Sequence, residues 1–99
     1  MELEKIIEKI TQYRNRKGYT YENMAHDLHI TPAAYRKIET GETKLTVERL
    51  FKIAEILDLP TAYFYVENDL LAEIIQVSHT LSNEQKLEVL RFIKDLQKF

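Results

Sequence analysis

Residues 20–41 read Thr20-Tyr21-Glu22-Asn23-Met24-Ala25-His26-Asp27-Leu28-His29-Ile30-Thr31-Pro32-Ala33-Ala34-Tyr35-Arg36-Lys37-Ile38-Glu39-Thr40-Gly41, and this stretch decides the fold. Thr20 carries a hydroxyl suited to capping a helix, and Tyr19 before it pairs with Met24 as a hydrophobic staple. The helix so started is expected to run to about Leu28. Thr31 caps the next one. Pro32 takes its first position, where a missing N–H is harmless, and Ile30 with Tyr35 forms a second staple. Gly41, after Thr40, provides a left-handed stop. Only His29, Ile30 and Thr31 join the two helices, too little chain for a side-by-side hairpin. The helices must therefore cross steeply, as a helix-turn-helix. Ala25 is small enough to let the two backbones approach, and Ile30 and Ile38 fill the space between them.

The same helical period extends outward. Upstream, Leu3, Ile6, Ile7, Ile10 and Tyr13 make one stripe of a helix from about Glu2 to Lys17, stopped by Gly18. Downstream, after the polar loop from Glu42 to Lys44, Thr46 caps a helix with a Leu45–Leu50 staple. Its buried stripe is Leu50, Ile53, Ala54 and Leu57. Pro60 and Thr61 break the chain before a short helical turn at Ala62 to Tyr65. Two more helices follow, one marked by Leu70, Leu71, Ile74, Ile75 and Val77. The other is capped by Ser82 with Gln85 in a capping-box pattern.

The whole of this reading is all-α. Ninety-nine residues leave room for one domain and little more. We expect residues 1–66 to form a helix-turn-helix domain and residues 67–99 a C-terminal helical segment, without a flexible linker between them. No cysteine is present, which excludes disulfides and thiolate metal sites. The acid-bearing start MELEKIIEKI is unlike a signal peptide, and no apolar run approaches a membrane span, so a cytoplasmic protein is expected. Net charge is −2. Residues 1–65 hold ten Lys/Arg against ten Asp/Glu, and residues 66–99 hold four against six, so the later part carries the whole excess. A neutral body beside an acidic segment implies two tasks, one that meets phosphate and one that meets protein.

The run GYTYENMAHDLHITPAAYRKIETGETKLTVERLFKIAEILDLP, residues 18–60, resembles the Cro and lambda-repressor type of helix-turn-helix domain, the XRE family. Its features occur in the family's order: Gly18, the Met24-Ala25 pair, Ile30 in the turn, Tyr35-Arg36-Lys37-Ile38-Glu39 before Gly41, and the Leu50, Ile53, Ala54, Leu57 helix. The resemblance spans about residues 3 to 65. It implies a five-helix, lambda-repressor-like fold followed by the two C-terminal helices. It also implies a partner, double-stranded DNA, with the helix begun by Thr31 in the major groove. Thr31, Pro32, Ala33, Arg36 and Lys37 are then the expected base-reading positions. Lys37 is the prime candidate, because a Lys can donate to guanine O6 and N7. Phosphate contacts are expected from Thr20 and Tyr21 at a helix start, from Thr40, Thr43 and Lys44 in the following loop, and from the rim residues Arg16 and Lys17. Arg14 and Glu39 match positions that pair as an internal salt bridge in similar domains. The run Pro32-Ala33-Ala34 departs from the family, which often has Gln, Ser or Asn there. Readout would lean on Arg36, Lys37, apolar contacts and DNA shape.

Other constellations point nowhere specific. His26 and His29 lack a third ligand, and His79 is isolated, so no metal or cofactor is expected. Tyr13, Tyr35, Tyr63 and Tyr65 fall at core or half-core positions rather than forming a stacking platform. No carboxylate pair, nucleophile site or glycine-rich loop suggests catalysis, and we expect neither an enzyme nor a small-molecule site. In the last helix Val89, Phe92, Leu96 and Phe99 step at the spacing of a helix-pairing seam, which Leu87, Leu90 and Ile93 widen. Homodimerisation through Leu87, Val89, Phe92, Ile93, Leu96 and Phe99 is the leading expectation. The resulting picture is a dimeric transcriptional repressor reading an inverted repeat. The alternative is an interaction module or antitoxin-type regulator whose C-terminal helices grip another protein.

Overall fold

The computed structural model describes residues 3–98. Phe99, assigned above to the dimer seam, and Glu2, assigned to the first helix, lie outside them. Seven helices are present among the described residues: α1 (Leu3–Arg16), α2 (Tyr21–Leu28), α3 (Pro32–Glu39), α4 (Val47–Ile56), α5 (Ala62–Tyr65), α6 (Asp69–His79) and α7 (Asn83–Leu96).

Local chemistry sets the boundaries. Thr20, Thr31, Thr46 and Ser82 all cap their helices through the side-chain oxygen. Thr20 and Ser82 do so in full capping boxes, with Asn23 and Gln85 returning the bond to the cap amide. Asn68 caps α6 in the same way, its Oδ1 accepting from the Leu71 amide at 2.8 Å. Gly18 and Gly41 take positive φ, +74° and +81°, where a side chain would be strained. The sharp α2–α3 turn rests on His29, at φ 59°, a left-handed residue that is not glycine. The amides of His29 and Ile30 fold back onto the carbonyls of His26 and Ala25.

Helices α1 to α5 surround one core. Ile6, Ile10 and Tyr13 come from α1, Met24, Ala25 and Leu28 from α2, and Tyr35 and Ile38 from α3. Leu45, then Leu50, Ile53 and Ala54 of α4, then Leu57, Leu59 and Phe64, complete it. Each fully buried aliphatic or aromatic side chain contributes about 1.5–3 kcal/mol of transfer free energy. Leu3 stays largely exposed, so the α1 stripe is narrower than its sequence period implies. Tyr65 is also exposed, against expectation: α5 is a single turn, and Phe64 takes its inward position.

Beyond the core the packing thins. Helix α6 lies against α5, buries Ala72, and reaches α1 through Gln76 Nε2, which donates to the Tyr13 hydroxyl at 3.4 Å. Helix α7 buries none of its side chains and packs substantially against no other helix. The radius of gyration is 15.7 Å. A compact chain of this size would have about 13 Å.

Candidate nucleic-acid interface

Helix α3 is held from beneath. Tyr35 and Ile38 point into the core, and Ala34 is half-buried. A buried polar cluster fixes the helix's far end. Arg14 Nε donates to Glu39 Oε2 at 2.6 Å, Arg14 Nη2 to Glu39 Oε1 at 3.1 Å, and Arg14 Nη1 to the Tyr19 carbonyl at 2.6 Å. Thr11 Oγ1 donates to Glu39 Oε1 at 2.9 Å. Burial alone would lower the Arg14 pKa, but the hydrogen bond and charge of Glu39 outweigh it and the net shift is upward. Neither side chain of this pair is free to meet a ligand.

The remaining faces of α3 are open. Thr31, Pro32, Ala33, Arg36 and Lys37 are all exposed. Thr31 Oγ1 accepts from the Ala34 amide at 3.1 Å, so its methyl group is what it offers outward. Thr40 Oγ1 donates to the Lys37 carbonyl at 3.3 Å, and the Thr43 amide donates to the same oxygen at 3.0 Å. These bonds fold the loop after α3 back against the helix.

That fold-back, with α4, creates a shallow concavity. It is lined by Ile30, Thr31, Ala33, Ala34, Lys37, Ile38, Thr43, Lys44, Thr46 and Arg49. It brings five residues named from the sequence, Thr31, Ala33, Lys37, Thr43 and Lys44, onto one surface. Arg49 and Thr46 also line it, and the sequence reading missed both as site residues. The available signal was local: a cation in the first turn of α4, where a carboxylate is the favoured partner of the helix dipole.

The other expected phosphate residues are placed differently. Thr20 is exposed at the start of α2. Tyr21 is half-buried, its ring 5.8 Å from that of Tyr35 and 4.7 Å from the Arg14 guanidinium, so the ring is a packing element. Lys17 lies over Tyr13 and Tyr19 and lines a concavity with Asn23, His26 and Asp27. Arg16 sits over Tyr13 and lines the α1–α6 groove with Asp69, Glu73 and Gln76, away from the Lys37 surface.

The C-terminal helices expose a second, apolar surface. Leu87, Phe92, Ile93 and Leu96 are exposed on α7, and Val89 is half-buried. Leu70, Leu71, Ile74 and Val77 of α6 are exposed as well, which the sequence reading did not assign to any contact. Among the described residues no cluster of His, Cys, Asp or Glu could hold a metal, and no helix is long and apolar enough to cross a membrane.

Comparison with known proteins agrees with this architecture. A helix-turn-helix family model matches residues 10–64, more than half of the chain. The HTH-type transcriptional regulator RamB of Mycobacterium tuberculosis, matched in two strains, is 31% identical over 72 residues. That match takes in 71% of this chain, and the chain spans 15% of the relative's length. The crystal structure of the transcriptional regulator BswR superposes with a TM-score of 0.78 at 26% identity, covering 90% of this chain and 92% of that one. The crossed helices, the three-residue turn and the matched family model lead to one assignment: the chain belongs to the helix-turn-helix family of the Cro and lambda-repressor, or XRE, type.

Proposed function

We propose that the protein is a DNA-binding transcriptional regulator of the cytoplasm, a dimeric repressor that reads an inverted repeat with α3. One observation carries this reading. Thr31, Pro32, Ala33, Arg36 and Lys37 are all exposed on a helix whose other face is locked into the core. A rigid helix with a cationic, methyl-bearing outer surface suits the major groove, where N-terminal residues meet base edges. Lys37 would read guanine, Arg36 a base or a phosphate, and Ala33 and Thr31 a thymine methyl. Thr20, Thr40, Thr43 and Lys44 would hold phosphates, with Lys17, Arg16 and the Tyr21 hydroxyl at the margin.

The dimer follows from the other end of the molecule. Helix α7 has a largely exposed apolar face among the described residues, and an isolated amphipathic helix of this kind is marginal in water. A second copy, paired through Leu87, Val89, Phe92, Ile93 and Leu96, would bury that face and set the separation of two reading helices. The same face supports a second reading, an antitoxin-type regulator whose C-terminal helices bind a different protein.

Selection of bound duplexes from a random pool tests the reading. The expected product is a short sequence repeated in inverted order at one fixed spacing. Recovery of unrelated sequences, or of a lone half-site bound by a monomer, contradicts it. Light scattering of the pure protein separates the two occupants of α7: a dimer supports the first reading, and a monomer that captures a heterologous helical protein supports the second.

A further inference from the structure

Helix α6 divides its residues between two sides. Ala72 is buried and Gln76 reaches the Tyr13 hydroxyl, so that side faces α5 and α1. Leu70, Ile74 and Val77 recur at helical spacing on the opposite side, with Leu71 beside them, and all four are exposed. No charge interrupts this outward band. Asp69 and Glu73 line the groove on the α1 side, and His79 turns back to within 3.6 Å of Asp58.

Helix α7 is apolar over more of its surface than one contact would use. At 100° per residue, Leu90 and Phe92 stand about 160° apart, with Val89, Ile93 and Leu96 between them. A single neighbouring helix covers a stripe of about 100°, so an arc this wide calls for two neighbours. The α7 of a second copy supplies one. The chain's own α6 does not supply the other: only Thr80, Leu81 and Ser82 join the two helices, and α7 does not pack substantially on α6.

Charge and area select the occupant of the α6 band. Helix α6 carries Asp69 and Glu73 in its first half and no Lys or Arg. Arg91 and Lys94 lie in the second half of α7 and form no ion pair among the described residues. Two copies of α6 side by side would bring like charges together, whereas the end of α7 against the start of α6 brings opposite ones together. Nine large apolar side chains of α6 and α7 are exposed. That is area on the scale of the roughly 800 Å² that each partner gives to a stable interface. A two-fold exchange of α7 between copies covers both helices at once.

Building on the reading of α7 as a dimer seam, we infer that the α6 band is the seat of a second copy's α7, laid antiparallel across Leu70, Ile74 and Val77. The two copies interlock through four helices rather than through α7 alone. Because α6 is packed on α5 and bonded to Tyr13, this clamp fixes the two α3 helices relative to each other.

The chain has no cysteine, so single ones report the contact cleanly. Full-length Leu70→Cys and Leu96→Cys chains, one lengthened by a tag, are unfolded, refolded together and treated with a short bifunctional maleimide. A cross-link between the two different chains is expected. Leu70→Cys with Leu87→Cys should give none, since that position lies about 14 Å further along α7. A cross-link formed only within a chain carrying both Leu70→Cys and Leu96→Cys would show α7 folded back on its own α6, and would overturn the exchange. A dimer by light scattering whose Leu96→Cys chains join only to each other would keep the α7 seam and remove α6 from it. A monomer with no inter-chain product would end the dimer reading as well. Val77→Asp should raise the dimer dissociation constant at least roughly tenfold at unchanged helix content, because a carboxylate would be trapped between apolar helices. An unchanged dissociation constant would contradict the α6 contact.

Discussion

Arg14 and Glu39 sit twenty-five residues apart and meet at 2.6 Å, and this one pair fastens α3 to α1. The resemblance to the XRE family pointed to the pair. Its other partners, the Thr11 hydroxyl and the Tyr19 carbonyl, were invisible in the sequence, because only the folded crossing of α1 and α3 brings them together. Arg14→Ala would strand the Glu39 carboxylate, and urea denaturation should show a loss of about 3–5 kcal/mol. Tyr35 is the opposite case. Its hydroxyl is buried and makes no hydrogen bond of good geometry among the described residues, although it faces the Glu39 carboxylate. Burial first, then the approach and charge of Glu39, push its pKa above the ordinary tyrosine value. A raised folded-state pKa favours the neutral form, so the associated stability is intact below about pH 10 and declines as pH rises beyond it. Tyr35→Phe should raise stability at neutral pH by about 1 kcal/mol and lessen the alkaline decline, both measurable by denaturation at several pH values. A loss of stability in Tyr35→Phe would show that the hydroxyl has a partner after all.

Helices were more legible than side-chain contacts because their signals are local. Thr20, Thr31, Thr46 and Ser82 each announce a start within a few residues, and the observed starts agree. What escaped was non-local or atypical. His29 turns left-handed without being glycine, and Asn68 caps α6 after no clear break. Arg49 is locally an odd cation in a first helical turn, but its place beside Lys37 and Lys44 exists only once the chain folds α4 against α3. Caps should matter in proportion to the hydrogen bond they make. Thr20→Ala should destabilise the protein by about 1 kcal/mol, read as a lower urea midpoint at unchanged slope. Thr31→Ala should cost a similar amount and, on the proposed docking of α3, also weaken duplex binding. Duplex binding by Thr31→Ala that equals wild type at matched stability would remove Thr31 from the interface.

The molecule as a whole is 51 Å long and 26 by 22 Å across, with its core at one end and exposed apolar helices at the other. Continuous apolar surface of this kind marks a contact site. The apolar spacing of α7 was readable from the sequence, whereas the exposure of the α6 side chains was not. Leu70, Ile74 and Val77 marked the helix by their period but stay exposed, and Ala72 is the residue of α6 that is buried. On the proposed dimer, Phe92→Asp should give a monomer by light scattering, leave the circular dichroism of the helix-turn-helix intact, and lower affinity for the selected duplex by at least tenfold through loss of one half-site. A dimer that survives Phe92→Asp together with Leu96→Asp would place the interface elsewhere.

The most direct test of α3 as the reading helix is to bind wild type and Lys37→Ala to every single-base variant of the selected operator. Lys37→Ala should flatten discrimination at one base pair in each half-site, symmetrically, by about 1–3 kcal/mol, while the other positions keep their preferences. An unchanged preference at every position would show that α3 does not read the sequence.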